Sequence, residues 1–376
     1  MKTMILKGTT IALALFMNMG FVNTQKNISN PKKQTIKVAL LLDTSNSMDG
    51  LINQAKAQLW EIVNELSYAK YGMKKPDLEI ALYEYGNSSL SSKEGYIRQV
   101  LQFSSDLDEI SEKLFSLKTN GGSEFCGQVI QTSLDQLDWG THKNDLRLLF
   151  IAGNEPFTQG KINYQDAISN AQEKDIVVNT IFCGSYRQGV SGMWKDGAVT
   201  GGGEYMTINH NKKIVHIITP FDTQIIILNK QLNKTYIYYG NNGASKYRNQ
   251  SAQDNNASML DEVVVVKRAV SKSSRLYNNS SWDLVDADKK KPIDYTKIEK
   301  KKLPKYLQHK SAKEIQKYVD KQAKKRKKIQ SEIKELDKKR RKYITENQQK
   351  NSKKNELESV LIKAIKKQAA RKNYNW

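Results

Sequence analysis

Several features that would place this chain of 376 residues in a common protein class are absent from its sequence. The mean hydropathy is −0.65, and no apolar run of spanning length follows the N-terminal segment, which excludes a polytopic membrane protein. The four histidines form none of the spacings typical of zinc hydrolases. No Walker-type loop with its Lys-Ser or Lys-Thr pair occurs either. We therefore predict that the protein is not an enzyme and takes no small-molecule substrate.

The excess positive charge is confined to the C-terminal part of the chain. The formal net charge is +22, from 61 basic and 39 acidic residues. Residues 287–376 contain 31 Lys and Arg against 11 Asp and Glu, whereas the first 286 residues contain 30 against 28. The body is therefore near neutral, so the basic character belongs to a tail and a general nucleic-acid-binding fold is a poor description.

The N-terminal residues are typical of an export signal. Lys2 and Lys7 supply a positive region, and Ile11–Val22 is a mostly apolar stretch that is too short for an ordinary transmembrane helix. We predict a signal peptide at residues 1–25 and a periplasmic or extracellular protein, with an uncleaved anchor or a buried strand as the alternative. Because no cysteine follows the apolar stretch, a lipid anchor is not expected.

Strands alternate with helical patterns over residues 33–212, which predicts one α/β domain. The run Ile36–Asp43 is apolar almost throughout and ends in an acid, as expected of a strand buried on both faces of a parallel sheet. Strands recurring between helices predict a doubly wound, mostly parallel open sheet, in which ligands bind at the carboxyl ends of the strands. The predicted strands are 36–43, 78–85, 96–103, 146–152, 176–183 and 204–208, and the predicted helices are 51–71, 107–117, 128–137 and 164–173.

Two further regions are predicted after this domain. Residues 213–287 form a helical or irregular extension that packs on the body, with a helix near 220–232, a short strand near 236–239, and a helix or strand at 259–270. Residues 288–376 form a basic helical tail. Because nearly all of the excess charge lies in this tail, we expect its deletion to leave a folded, near-neutral body.

The turn after the first strand carries a D-x-S-x-S pattern, with Asp43, Ser45 and Ser47 at alternate positions. A carboxylate and two hydroxyls at this spacing can converge on a small hard cation, because Mg²⁺ prefers oxygen ligands. Ser123, in a Gly-Gly-Ser-Glu turn before another helix, offers a third hydroxyl. The alternative is that these residues cap the helices that follow them.

At these residues the chain resembles the von Willebrand factor type A (VWA) family over roughly residues 36–210. The resemblance implies a metal-ion-dependent adhesion site (MIDAS) in which Mg²⁺ or Mn²⁺ binds an acidic group supplied by a protein partner. In this chain Asp43, Ser45, Ser47 and Ser123 would be the metal ligands. The segments that carry the resemblance are DTSNS from Asp43, GGS from Gly121, LLFIAGNEP from Leu148, VVNTIFCG from Val177 and GGGEY from Gly201.

One element of the family pattern is missing. The family has an Asp in a T-D-G turn after the fourth strand, whereas this chain has Gly153 there, within a longer phrase that resembles an exported bacterial subgroup. The missing acid predicts weak metal binding, unless Glu155 or Glu124 substitutes for it. Replacing Gly153 with Asp should then tighten binding if the backbone tolerates a side chain.

The only two cysteines, Cys126 and Cys183, would lie in an oxidising compartment after export. Both are expected near the upper edge of the sheet, so a disulfide between them is one prediction and a pair of free buried thiols is the other.

The tail carries a narrow apolar stripe on one helical face from Ser311 to Lys342, and a second stripe from Leu357 to Ile365. Three interpretations are open: a coiled-coil or packing helix, a helix that binds an anionic polymer or lipid surface, and a disordered spacer. Gln322 and Arg326 at seam positions argue against a long coiled coil. The cations predicted to contact an anionic surface are Lys324, Lys325, Arg326, Lys327, Lys328, Lys338, Lys339, Arg340 and Arg341.

Three functions remain at this point, and the first two, which belong to different classes, are the main alternatives. The first is an exported protein that binds a partner through a degenerate Mg²⁺-dependent site at the top of the sheet. The second is an envelope or polyanion-binding scaffold that acts through its tail, with the α/β domain in a structural role. A weaker third is an accessory subunit of an enzyme.

Overall fold

The computed structural model describes residues 33–209, 217–350 and 356–376. The expected export signal at residues 1–25 lies outside the described residues. In these ranges six strands form a central sheet, and two short strands, one before the second strand of that sheet and one at residues 374–375, pair separately. The strands are β1 (Thr35–Asp43), β2 (Lys70–Tyr71), β3 (Asp77–Tyr85), β4 (Ile97–Ser104), β5 (Leu146–Gly153), β6 (Val177–Phe182), β7 (Gly202–Thr207) and β8 (Tyr374–Asn375).

The order of strands in the main sheet is β4-β3-β1-β5-β6-β7. Only β4 runs antiparallel to its neighbour, and the other four pairs are parallel. The chain passes from β1 outward to β3 and β4, and then returns to the other side of β1 to begin β5. The strand order therefore reverses between β1 and β5, which makes their carboxyl ends the expected ligand-binding edge. This topology confirms the predicted doubly wound, mostly parallel sheet.

Apolar side chains fill both faces of the sheet because successive residues of a strand point to opposite sides. In β1, Val38 and Leu42 pack in one core cluster, whereas Ala39 and Leu41 pack in the other. The helices of this part are α1 (Asp49–Ser67), α2 (Leu107–Phe115), α3 (Cys126–Gln136), α4 (Tyr164–Glu173), α5 (Tyr186–Ser191) and α6 (Trp194–Thr200). Side chains of α1 and α2 join the first cluster, and side chains of α3, α4 and α6 join the second.

The C-terminal part of the described chain is mainly helical and packs on the α1 face of the sheet. The polar, Asn-rich stretch after residue 243 is a helix, and the segment 259–270, which the sequence left open, is mostly helical. The short strand expected near 236–239 is reduced to one bridge, between Tyr238 and Asp283. The helices are α7 (Asp222–Asn233), α8 (Gly243–Leu260), α9 (Glu262–Ser273), α10 (Leu284–Lys290), α11 (Lys305–Gln308), α12 (Ala312–Lys350) and α13 (Glu356–Arg371).

The last two helices are integral to the core and do not form a separable tail. The stripe of α12 packs against α7 and α9, with Ile329 and Ile333 in the same core cluster as β1. Further along, α13 packs on β7 and α1, and β8 pairs with β2. Deleting these helices would expose the apolar residues that they cover, so the expectation that the body folds without residues 287–376 does not fit this packing.

Within the three described ranges, no helix combines the length and the apolar composition needed to cross a membrane.

Candidate functional site

The first sequence motif lies at the edge of the sheet where the strand order reverses. Asp43 is the last residue of β1, and it pairs with Tyr85 at the end of β3. On the other side, Leu42 pairs with Ala152 near the end of β5. The turn after β1 is held by its neighbours, because the Thr44 amide donates to the Tyr85 carbonyl at 2.9 Å. Parallel strands thus bring three loops together around the Asp43 carboxylate.

Asp43, Ser45 and Ser47 lie close together in one turn. Asp43 is fully buried, and its Oδ1 accepts a hydrogen bond from the Ser45 amide at 2.7 Å. The Ser45 and Ser47 hydroxyls lie 3.5 Å apart. Ser45 is buried and Ser47 is exposed, so this row of oxygens leads from the sheet edge towards solvent.

A second carboxyl group, that of Glu124, lies beside Asp43. Glu124 is buried, and its carboxyl group lies close to the Asp43 carboxyl and to Ser45. Burial raises the pKa of Asp43 well above its ordinary value, and the adjacent Glu124 raises it further. Burial also raises the pKa of Glu124. The two acids therefore share a site in which a double negative charge is unfavourable unless a cation neutralises it.

The close approach of the two acids requires glycine at position 86. Gly86 has φ +75°, a left-handed conformation that favours glycine. A Cβ there would lie 2.8 Å from both Asp43 Oδ1 and the Glu124 Cγ. The backbone of the loop after β3 thus forms one wall of the site without a side chain.

The donor set fits a divalent cation. Asp43 Oδ2 and Glu124 Oε2 are buried oxygens without a hydrogen-bond donor. A buried acceptor without a donor costs about 1–3 kcal/mol, and more when it is charged. Hydroxyl and carboxylate oxygens are the ligands that Mg²⁺ and Mn²⁺ prefer. In the described ranges no group of three or more His, Cys, Asp and Glu side chains could hold a metal, so any cation here would depend on two carboxylates and the serine hydroxyls.

The other two residues predicted as metal ligands occupy different positions. Ser123 is exposed on the loop that carries Glu124, and no hydrogen bond joins it to Asp43, Ser45 or Ser47 among the described residues. The Glu155 carboxylate is exposed and accepts from Gln159 Nε2 at 3.1 Å.

Glu155 contributes its backbone to the site. The Glu155 backbone lies close to the Glu124 carboxyl group, and its carbonyl accepts from Trp194 Nε1 at 2.7 Å. The acid that takes the place beside Asp43 is therefore Glu124.

The structure contradicts the expectation that an aspartate could be restored at Gly153. A Cβ on this residue would lie 2.5 Å from the Tyr85 hydroxyl and 3.1 Å from the Trp194 ring. The Tyr85 hydroxyl is fixed there because it donates to the Ala152 carbonyl at 2.9 Å. The space that the family's third-loop side chain would need is already filled.

The disulfide prediction is wrong for this structure, in which both cysteines are free and buried. Cys126 lies in the core cluster on the α3 face of the sheet, next to the Tyr85 hydroxyl, whereas Cys183 lies in the cluster on the α1 face. The two thiols thus belong to different core clusters and are not joined. Burial raises the pKa of both thiols well above the ordinary value, which makes them poor nucleophiles.

Two of the nine cations predicted to contact an anionic surface are unavailable for it. Arg326 is buried, with ion pairs to Asp283 at 2.5 Å and Asp286 at 2.8 Å. Arg340 is also buried, and its Nε lies 3.0 Å from Asp222 Oδ1. Both guanidinium groups therefore bind carboxylates of this chain. The other seven cations are exposed: Lys324, Lys325, Lys327, Lys328, Lys338, Lys339 and Arg341.

The sequence contained an indication that Glu124 lies at the site, but the spacing of the motifs did not favour Glu124 over Glu155. Glu124 follows Ser123 directly, so the turn that supplies the predicted hydroxyl also supplies the acid. The roles of Tyr85 and Gly86 had no such signal. They depend on which side chain fills the space opposite Gly153, which only the packed structure specifies.

Comparison with known proteins identifies the domain to which these residues belong. Residues 37–190 match the family model described as the von Willebrand factor type A domain. No curated protein matches the chain. Solved structures to which it is similar include an aerotolerance-related membrane protein from Bacteroides fragilis, with 16% identity, a TM-score of 0.32, and coverage of 47% of this chain and 93% of that one. A von Willebrand factor type A protein from Catenulispora acidiphila shows 14% identity and a TM-score of 0.35, with coverage of 47% and 39%.

A third similar structure is proximal thread matrix protein 1 from the mussel byssus, with zinc in its MIDAS motif, at 11% identity and a TM-score of 0.34, with coverage of 48% and 43%. The present chain thus spans less than half the length of the second and third of these proteins. The family match covers the strands and loops that form the Asp43 site. The chain therefore contains a von Willebrand factor type A domain at residues 37–190.

Proposed function

We propose that this protein binds a protein partner through a divalent cation held at the carboxyl edge of its sheet. The observation that carries the proposal is the pair of buried carboxyl groups, Asp43 and Glu124, each with one oxygen that lacks a donor. A cation would satisfy both oxygens and neutralise the two charges. The VWA domain supports a role in protein interaction.

Asp43, Ser45 and Ser47 would hold the cation, and Glu124 would take the place of the family's third-loop acid. Ser123 lies on the same loop as Glu124 and is the remaining candidate for a hydroxyl ligand. Mg²⁺ keeps several waters when it is bound by only one or two carboxylates. When bound, the cation would supply an open position for an acidic group of the partner. This arrangement calls for binding and positioning and needs no catalytic group.

Calorimetric titration with Mn²⁺ and Mg²⁺ tests the proposal in the full chain. The parent protein should bind one ion weakly, and both Asp43→Asn and Glu124→Gln should reduce the affinity by roughly tenfold or more. Glu155→Gln is the matched control. It should leave cation binding unchanged, because the Glu155 carboxylate is exposed and already accepts a hydrogen bond from Gln159. No heat with the parent would overturn the proposal. Equal loss in Glu155→Gln would reassign the second acid.

We further propose that the protein acts outside the cytoplasm, in the periplasm or on the cell surface. Support comes from the charged and apolar pattern of the first 25 residues, which is that of an export signal. Fractionation of cells that produce the full chain, with mass spectrometry of its N-terminus, tests this. A mature protein that begins between residues 20 and 26 would support export, and an intact chain in the cytosol would contradict it.

A second candidate function rests on the exposed basic face of α12. We propose that this face, formed by the seven exposed cations named above, binds an anionic surface in an envelope-associated scaffold. Most of the seven lie beyond the reach of a carboxylate in the described structure. The exceptions are Lys328, whose Nζ is 4.0 Å from Glu332, and Arg341, whose Nε is 3.3 Å from Asp337. A single face with this charge favours anionic lipid over a neutral partner.

Co-sedimentation with phosphatidylglycerol vesicles tests this second function. Replacing both Lys327 and Lys328 with Gln should weaken binding about tenfold or more, since each lysine near such a surface contributes about 1 kcal/mol. Replacing both Lys93 and Lys118, which are exposed on the α/β domain, is the control. Binding should also weaken as salt rises. Salt-independent binding, or an equal loss in the control, would contradict the idea.

A further inference from the structure

A cleft of about 430 Å³ opens beside the proposed cation site. It lies between the loop that follows β5 and helix α5, at the same edge of the sheet as Asp43. Its volume is within the range of about 300–1,000 Å³ that is common for ligand sites. The side chains that line it include Asn154, Pro156, Thr158, Phe182, Gln188 and Ser191.

Asn154 joins this cleft to the cation motif. Its Nδ2 donates to the Ser47 hydroxyl at 3.0 Å, and the same residue lines the cleft. Its Oδ1 is a buried acceptor that lacks a donor. A ligand that reaches from the cation into the cleft would therefore pass the Asn154 side chain, which lies between the two.

The chemistry of the lining selects an uncharged side chain. Phe182 and Pro156 contribute apolar surface, and Thr158, Gln188 and Ser191 contribute neutral polar groups. None of the lining residues carries a charge. A charged side chain would lose solvation in this cleft without gaining a partner of opposite sign, which is costly.

We propose that the cleft is a specificity subsite, which receives an uncharged residue next to the acidic residue that the partner presents to the cation. The partner is thus an extended peptide segment in which an Asp or Glu is accompanied, at a fixed spacing, by an uncharged side chain. This inference rests on the proposed function and adds the partner's second determinant to it.

Selection from a random peptide library tests the inference, with the full chain immobilised in the presence of Mn²⁺. The selected peptides should contain an acid with an uncharged residue at constant spacing. Thr158→Trp and Ser191→Trp place an indole from two sides of the cleft, and each should weaken a selected peptide about tenfold or more. Ser169→Trp is the control, because Ser169 is exposed on α4 away from the cleft.

Calorimetry with Mn²⁺ alone separates the two proposals. Both cleft variants should bind Mn²⁺ as the parent does, since neither replaces a proposed ligand. If the parent does not bind Mn²⁺, the proposed function itself fails. If Mn²⁺ binds but no acidic peptides are selected, or the two cleft variants bind peptide as tightly as Ser169→Trp does, the specificity subsite is refuted and the cation site stands.

Discussion

Replacing Arg326 should destabilise the whole protein, because this side chain joins α12 to the body through buried polar contacts. The guanidinium pairs with Asp283 and Asp286. It also donates from Nε to the Thr235 hydroxyl at 3.0 Å and from Nη2 to the Thr235 carbonyl at 2.7 Å. Its carbon Cζ lies 4.0 Å from the centre of the Tyr236 ring. Arg326 itself is only 3% exposed.

The expected loss follows from what Arg326→Met would leave behind. Methionine can fill much of the space but cannot compensate the Asp283 carboxylate, whose exposure is 0%. Removing one partner of a buried ion pair typically costs about 3–5 kcal/mol. Domains of this kind are stable by only about 5–15 kcal/mol, so this one substitution would remove a large part of the stability.

Urea unfolding of the full chain, followed by far-UV circular dichroism, measures the effect. Lys328→Met is the matched control on the same helix. Its ammonium group is exposed and lies 4.0 Å from the exposed Glu332 carboxylate, so the loss there should be at most about 1 kcal/mol. Adding Asp283→Asn to Arg326→Met should recover part of the loss, because the buried charge of Asp283 is then removed. A loss below about 1 kcal/mol for Arg326→Met, or one equal to that of Lys328→Met, would refute the reasoning.

Three further predictions concern the α/β domain and its helical extension. Gly153→Asp should lower the unfolding midpoint and should not tighten Mn²⁺ binding, because its Cβ would collide with the Tyr85 hydroxyl; a stable variant with tighter binding would contradict this. Burial alone would raise the pKa of Asp254, but nearby lysine and arginine side chains outweigh it and hold the pKa below its usual value. The stability that Asp254 contributes is therefore present in full above about pH 5 and is lost progressively as the pH falls towards the lowered pKa of the folded state, so the urea midpoint should drop as the pH is lowered from about 5 to 2, and drop less in Asp254→Asn. Cys126 and Cys183 should resist a thiol reagent in the native protein and react in urea, and a reductant should leave the unfolding midpoint unchanged; a non-reduced sample that shows the two linked would disprove the free thiols.

The sheet was predictable because local patterns determine it. The apolar run of β1 was predicted at Ile36–Asp43 and begins one residue earlier, and the helix at Tyr164–Glu173 has the predicted bounds. Strands buried on both faces appear in a sequence as continuous apolar runs, and amphipathic helices appear as a period near 3.6. Asp43, Ser45 and Ser47 were equally accessible to prediction, since their grouping depends only on one turn.

The fate of individual cations was not predictable, because it depends on distant acids. Arg326 and Lys324 look alike in a basic segment, yet Arg326 is buried and Lys324 is exposed. The difference comes from the helix face on which each lies and from Asp283, which is 43 residues away. The seam position of Arg326 was visible as a break in the apolar stripe. The sequence could not reveal that a buried carboxylate faces that break.

The acid expected in the turn after β5 was also not predictable from the sequence, because its replacement comes from a loop that is distant in the chain. Counting acids along the motifs leaves one negative charge, on Asp43, because the family's aspartate is replaced by Gly153. In the folded chain the Tyr85 hydroxyl occupies the space next to Gly153, and Gly86 leaves room for Glu124 to approach Asp43 from the opposite loop. The loss of one acid and the arrival of another are thus parts of one packing arrangement. Two carboxyl groups still meet at the edge of the sheet, as the proposed cation site requires.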